Sequence, residues 1–374
     1  MTATAEESAG EPAWLYMDAM RTLLAVTVAF GHLWGLLVED YRPTGSLIVQ
    51  LCYYAAGFAH SAVVMFFVLS GYWIARSVTA RVERGWSWRD YLGDRGARLV
   101  IVLIPALILG GVLDAIGLHV LRLPTHLGQT DTWVLAKDVA HDLGPGVLLG
   151  NLLFLQDIVV APYGTNGPLW SVAFEFWYYL WFPALWLSLT YRRFSLALVV
   201  LLVGVVNPEL AFGFVSWSCG ALLHFAEQRA RQREWQCSRR AVIMAAILCG
   251  IVLAWGRTGD FGLEDPIEAA AFALFLFTLL RSAPRRNAAF APLALFGARA
   301  SFSLYAIHFP LMALVAGIIV GGARRAPDSA TMAMAAAILA GVVAIAWGFA
   351  ALTEANTGRL RRLLRRATAR PETV

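Results

Sequence analysis

Residues 17–34 read MDAMRTLLAVTVAFGHLW. They sit within an apolar segment covering 14–38, and a helix needs roughly 20 apolar residues to cross a bilayer core. The stretch therefore reads as a membrane span, yet it carries Asp18, Arg21 and His32. Arg21 and His32 are 11 residues apart. In an α-helix that spacing is a net rotation of about 20° and a rise of roughly 16 Å, so both lie on one face. Asp18 falls about 40° from the same face. Ionisable groups at membrane depth are costly and mark functional sites. The plainer alternative is an anchoring Arg–Asp pair and a core histidine with its hydrogen bonds met.

The rest of the chain agrees with a membrane setting. Of its 374 residues 59% are hydrophobic and 15% charged, against roughly 25% charged in soluble domains. Mean hydropathy is +0.62. That balance excludes a soluble enzyme and a disordered chain. It also excludes a nucleic-acid binder despite the net charge of +5. Ten apolar segments are predicted, at 14–38, 47–75, 97–120, 168–190, 194–206, 209–226, 241–256, 266–281, 300–320 and 330–353. The expected fold class is an all-α polytopic membrane protein with about ten transmembrane helices. Placing both termini in the cytoplasm puts 23 of the 30 basic residues on that side, as the positive-inside rule favours. GVLLGNLLFLQDIVV (146–160) is too short for a further span and is predicted to be re-entrant or interfacial. The expected organisation is a tail (1–13), one membrane domain (14–353) and a basic tail (354–374). The N-terminus lacks the basic region and cleavage site of a signal peptide. Cys52, Cys219, Cys237 and Cys249 show neither paired nor metal-ligand spacing and read as free thiols, three of them buried; no metal site is evident.

Further polar residues mark other spans. NGPLWSVAFEFWYYLWFP (166–183) holds Glu175 in an aromatic run, at a depth that matches His32. A His–Glu pair in a dry pocket holds one imidazole tautomer, so Glu175 is the expected partner of His32; the alternative pairs Glu175 with some other structural group. Asn166, Trp170 and Ser171 are placed at an outer mouth. FFVLSGYWIAR (66–76) places Ser70 and Gly71 near a helix end, where small residues most simply serve packing. RGAR (95–98) puts Arg95 and Arg98 at the cytoplasmic face near Arg21, suited either to snorkelling or to a phosphate-bearing ligand. SFSLYAIHFP (301–310) carries Tyr305 and His308 at or below mid-depth.

Together these pieces resemble the acyltransferase-3 family of bacterial integral membrane acyltransferases. The likeness covers about 14–353: Arg21 to His32, FFVLSGYWIAR, RGARLVIVLIP, GPLWSVAFEFWYYLWFP and SFSLYAIHFP fall in the family's order. One departure is that many members carry two adjacent glutamates in the fourth span, whereas Glu175 is here followed by Phe176.

The resemblance implies transfer of an acyl group, commonly acetyl, from cytoplasmic acyl-CoA to a hydroxyl of a sugar, glycolipid or polyketide. Acyl-CoA, with acetyl-CoA first in line, is then a co-substrate and no cofactor is permanently bound. His32 is the expected general base and Glu175 its orienting partner. Asp18, Arg21, Ser70, Arg95 and Arg98 would serve the donor, and Asn166, Trp170, Ser171, Tyr305 and His308 the acceptor. An acyl-histidine relay is a variant of the same chemistry. The rival reading is a proton-coupled small-molecule transporter, since buried Arg, Asp, His and Glu suit one too. The expected location is the cytoplasmic (inner) membrane.

Overall fold

The first apolar segment forms one unbroken helix, α1 (Pro12–Leu37), in the computed structural model, which describes residues 12–43, 46–191, 207–257, 262–282 and 290–368. The segment expected at 47–75 is two helices, α2 (Leu47–Ala56) and α3 (Ala59–Glu83), broken at Gly57 and Phe58. The break has a packing cause. A Cβ on Gly31 of α1 would lie 2.7 Å from the Ala56 carbonyl oxygen and the Ala59 Cβ. α1 therefore crosses the α2–α3 corner at its own glycine, one residue before His32.

α4 (Trp88–Ala115) begins at Ser87, whose hydroxyl accepts from the Asp90 amide, and ends in a π turn, Ile116–Val120. α5 (Pro145–Leu152) has eight residues and rises about 12 Å, too little to cross a bilayer. A 3₁₀ turn, Gly167–Leu169, leads into α6 (Trp170–Tyr191). Then follow α7 (Pro208–Gln232), α8 (Arg239–Gly256), α9 (Glu264–Arg281), α10 (Phe290–Ala298), α11 (Ser301–Val320), α12 (Ser329–Leu352) and α13 (Thr357–Thr368). The expected span at 194–206 lies outside the described residues. Among the described residues the only β-type contacts are isolated bridges.

Among the described residues seven helices are long and apolar enough to cross a membrane: α1, α3, α4, α7, α8, α11 and α12, the last counted with its continuation into α13. The chain is thus an all-helical, multi-pass membrane protein. α6 and α9 occupy two further predicted segments with 22 and 18 residues and lie outside that group. α9 buries two acids, and both are answered from α3. Asp265 lies 2.9 Å from His60 Nε2, and Glu268 accepts from the Ser61 hydroxyl at 3.1 Å.

α1 is central and packs on α2, α3, α10, α11 and α12. The closest crossing is between α3 and α7. A Cβ on Gly71 would strike the Trp217 carbonyl, and one on Gly220 the Val68 carbonyl. Small residues allow backbones this near, so Gly71 serves packing as its motif suggests. The four cysteines are free; Cys249 is buried, whereas Cys52 and Cys219, expected to be buried, are half-exposed, as is Cys237.

The two ends of the bundle differ in charge. At one, Arg81 and Arg365 meet Asp94, and Arg231 and Arg281 meet Glu227. At the other, Arg324 ties the α11–α12 turn to Asp40 at 2.8 Å and to the Asp131 carbonyl at 3.1 Å. The hydrogen bond and charge of Arg324 hold the Asp40 carboxyl below the usual carboxylate range and push the guanidinium pKa up.

Candidate active site

The segment between α5 and α6 decides the site geometry, because it folds into the bundle. Asn166 is 1% exposed, and its side chain lies where a Cβ on Gly110 of α4 would be. Asp114, fully buried near the end of α4, accepts from the Thr165 amide at 2.8 Å and the Thr165 hydroxyl at 2.7 Å. α6 thus starts inside the bundle, below the end of α4. Glu175, about 7.5 Å further along α6, lies deeper again.

His32 and Glu175 therefore do not pair, contrary to the depth-matching expectation. The Glu175 Oε1 accepts from the Ser70 hydroxyl at 2.7 Å and the Tyr179 hydroxyl at 2.6 Å. Ser70 in turn accepts from the Trp217 indole at 3.3 Å. Counting both helices from the bilayer surface placed Glu175 too shallow, because α6 does not begin at the surface.

His32 meets His308 instead. The His32 Nδ1 and His308 Nε2 are 2.8 Å apart, with the rings stacked at 5.1 Å between centroids. The His308 Nδ1 lies 2.8 Å from the Tyr305 carbonyl and 3.2 Å from that of Leu304. Carbonyl oxygens only accept, so in a neutral pair this Nδ1 carries the hydrogen and Nε2 is an acceptor. The hydrogen between the rings then belongs to the His32 Nδ1. The His32 Nε2 is left with its lone pair and has no protein partner among the described residues.

Two cavities lie near these groups. The first, of about 760 Å³, is lined at the arginine-rich end by Arg21, Arg95 and Arg98, and further in by Ser70, Glu175 and Tyr179. Asp18 is 3.9 Å from Arg21 and supports it from outside the cavity lining. The Arg95 guanidinium also lies over the Tyr91 and Tyr179 rings, 5.7 and 5.8 Å from their centroids. The second cavity, of about 870 Å³, opens toward the other end and is lined by His32, Lys137, Thr165, Gly167, Trp170 and Phe309. Between them runs a thin wall. The Tyr305 hydroxyl bonds the Ser171 hydroxyl at 2.5 Å and the Pro168 carbonyl at 2.8 Å. Pro168 and Trp170 face the second cavity, while Ser171 and Tyr305 face the first.

The expected site residues thus divide into two sets. Arg21, Arg95, Arg98, Ser70 and Glu175 share the first cavity, together with Ser171, which was expected at an outer mouth, and Tyr305, which was expected at or below mid-depth. His32 and Trp170 line the second, with His308 behind His32. Asn166 reaches neither: its amide donates to the Tyr163 carbonyl at 2.9 Å and fixes the turn. Tyr179, Thr165 and Lys137 were not anticipated. Neither was Glu354, which accepts from the Ser303 hydroxyl at 3.1 Å near Arg21 and Arg98. Among the described residues no group of three or more His, Cys, Asp or Glu is arranged to hold a metal.

A two-cavity membrane bundle with a basic pocket on one side and a histidine pair on the other suits group transfer. Comparison with known families decides the class: an acyltransferase domain model matches residues 14–352, nearly the whole chain. The chain belongs to the acyltransferase-3 family. No curated protein and no solved structure matches it. Membership makes this acyltransferase-3 protein a membrane acyltransferase and does not favour the transporter reading. Its matched region holds both cavities, the histidine pair and every site residue expected from the sequence.

Proposed function

We propose that the protein is an acyl-CoA-dependent O-acyltransferase of the cytoplasmic membrane, with both termini and the arginine-rich end in the cytoplasm. The donor's phosphates meet Arg21, Arg95 and Arg98. Its pantetheine arm runs up the first cavity, past Ser70 and Glu175, toward the wall at Tyr305 and Ser171. The acceptor is a hydroxyl of a sugar, glycolipid or polyketide-type molecule, held in the second cavity beside Trp170. Acetyl is the acyl group favoured by the family's usual chemistry.

The observation that carries this reading is the 2.8 Å contact between the His32 Nδ1 and the His308 Nε2, with the other His308 nitrogen against backbone carbonyls. It leaves the His32 Nε2 as a free base facing the acceptor cavity. His32 takes the acceptor's hydroxyl proton as the oxygen attacks the thioester carbon. The new C–O ester bond forms, the C–S bond breaks, and the departing thiolate takes the proton from His32. The imidazolium formed meanwhile keeps its Nδ1–H bond to His308. Base catalysis of this kind contributes about 10²- to 10⁴-fold. Glu175 acts as a positioning residue, ordering Ser70 and Tyr179 in the donor cavity. For the thioester to reach His32, the Tyr305–Ser171 contact must part.

The test is a donor assay on purified protein. Acetyl-CoA is supplied with a membrane extract as acceptor source, and free thiol is followed beside a His32→Ala variant. Thiol release that requires both the extract and His32 is expected. Release at the wild-type rate in a folded His32→Ala variant would overturn the base assignment, and no release with any acyl-CoA would overturn the donor.

A further inference from the structure

The family match ends at Leu352, and beyond it α13 packs along α4. Its sequence, TGRLRRLLRRAT, gathers Leu360, Leu363 and Leu364 on one face, with Arg361 and Arg365 together on a flank. That flank meets α4. Arg365 donates to both oxygens of Asp94, at 3.0 and 2.9 Å, and Arg81 of α3 donates to the same carboxylate at 2.6 Å. Arg361 lies one turn before Arg365, and the charges around it are Asp94, Arg95, Arg98 and Arg365. The Arg361 Nε is buried and makes no hydrogen bond among the described residues.

Arg81 and Arg365 thus share the Asp94 carboxylate, while Arg361 sits among Asp94, Arg95, Arg98 and Arg365, with Glu354 near Arg98. Like charges held this close repel, and a partner carrying several negative charges with forked oxygens relieves the repulsion. Arg95 and Arg98 of this cluster also line the donor cavity. We propose that α13 supplies Arg361 to the floor of that cavity, so that the donor's phosphates are held between α4 and the C-terminal helix. The assignment rests on the acyl-CoA reading above. Phosphate oxygens are also offered by an anionic lipid headgroup, and the test separates the two.

Full-length protein in neutral detergent is titrated with CoA by calorimetry. Arg361→Gln is expected to weaken CoA binding at least tenfold. Arg366→Gln, on the exposed side of the same helix, should stay within twofold. Arg361→Lys, which keeps the charge and loses the fork, should recover part of the loss, and it also serves if the glutamine variant does not fold. Unchanged CoA affinity in both Arg361 variants overturns the assignment while leaving the acyl-CoA reading intact. No CoA binding by folded wild-type protein overturns that reading itself. In nanodiscs, Arg361-dependent binding to phosphatidylglycerol but not to phosphatidylcholine, with CoA affinity unmoved, assigns the cluster to a lipid and overturns the proposal.

Discussion

The His32 Nδ1 stands 2.8 Å from the His308 Nε2, and that one contact sets which nitrogen of His32 is basic. Because the Tyr305 and Leu304 carbonyls anchor His308, on the proposed reading it acts on chemistry through His32 as a positioning residue. His308→Ala is expected to lower kcat about 10²-fold, the usual cost of a misplaced reacting group, with little change in donor KM. His308→Gln, which can still offer an acceptor to the His32 Nδ1, should recover part of the loss. A donor KM that rises in step with the loss of kcat would place His308 in the donor cavity instead.

Arg21 and Glu175 should separate by the kinetic constant they affect. Losing a charge-assisted hydrogen bond costs about 1.5–3 kcal/mol, so Arg21→Gln is expected to raise the acyl-CoA KM roughly ten- to a hundredfold. Glu175→Gln keeps an acceptor for Ser70 and Tyr179 and should act mildly on the same constant. Steady-state thiol release across a donor series measures both. An unchanged donor KM in Arg21→Gln would make Arg21 an anchor for Asp18 and nothing more.

The α3–α7 crossing leaves no room at Gly71. Gly71→Val forces backbones apart and is expected to cost about 1–3 kcal/mol, the typical penalty of overpacking. The neighbouring Ser70 then shifts away from Glu175, so activity should fall along with the thermal midpoint in detergent. A variant with wild-type midpoint and activity would show that the crossing yields more easily than its geometry implies.

The clamp between Arg324 and Asp40 has a definite pH dependence. The folded-state pKa of Asp40 is depressed, chiefly by its hydrogen bond to Arg324. Its contribution is therefore complete above the unfolded carboxyl pKa of about 4 and is lost as pH falls through the lower, folded value. Hydrogen exchange in 38–43 and 321–328 should be steady between about pH 5 and 8, after correction for intrinsic rates, and quicken only in stronger acid. Asp40→Asn should show faster exchange throughout. Equal protection in wild type and variant at neutral pH would discount the clamp.

Helical periodicity alone placed Arg21 and His32 on one face, and apolar runs located α1, α4, α7, α8, α11 and α12. These are local properties, and sequence carries them. The partner of His32 is not local. It depends on how far α6 starts inside the bundle, which Asn166 against Gly110 and Thr165 against Asp114 determine. No pattern in 145–169 reports that depth. The break between α2 and α3 was equally hidden, since the run stays apolar through it and Gly57 is its only mark. Glu354 and Arg361 fell in a stretch whose charge reads as a basic tail, and only its docking on α4 and α11 brings them near Arg98, which lines the first cavity.

The wall at Tyr305, Ser171 and Pro168 has a physiological consequence. A bundle hollowed from both ends would short-circuit the membrane if its hollows joined, because water-filled passages carry protons and ions. Two hydrogen bonds at one tyrosine hydroxyl, donated to Pro168 and accepted from Ser171, stand across that route. On the proposed reading the wall also keeps the two hollows from joining into one aqueous passage across the membrane. On that reading Tyr305 answers to two demands at once: it must yield to an acyl chain and refuse an ion.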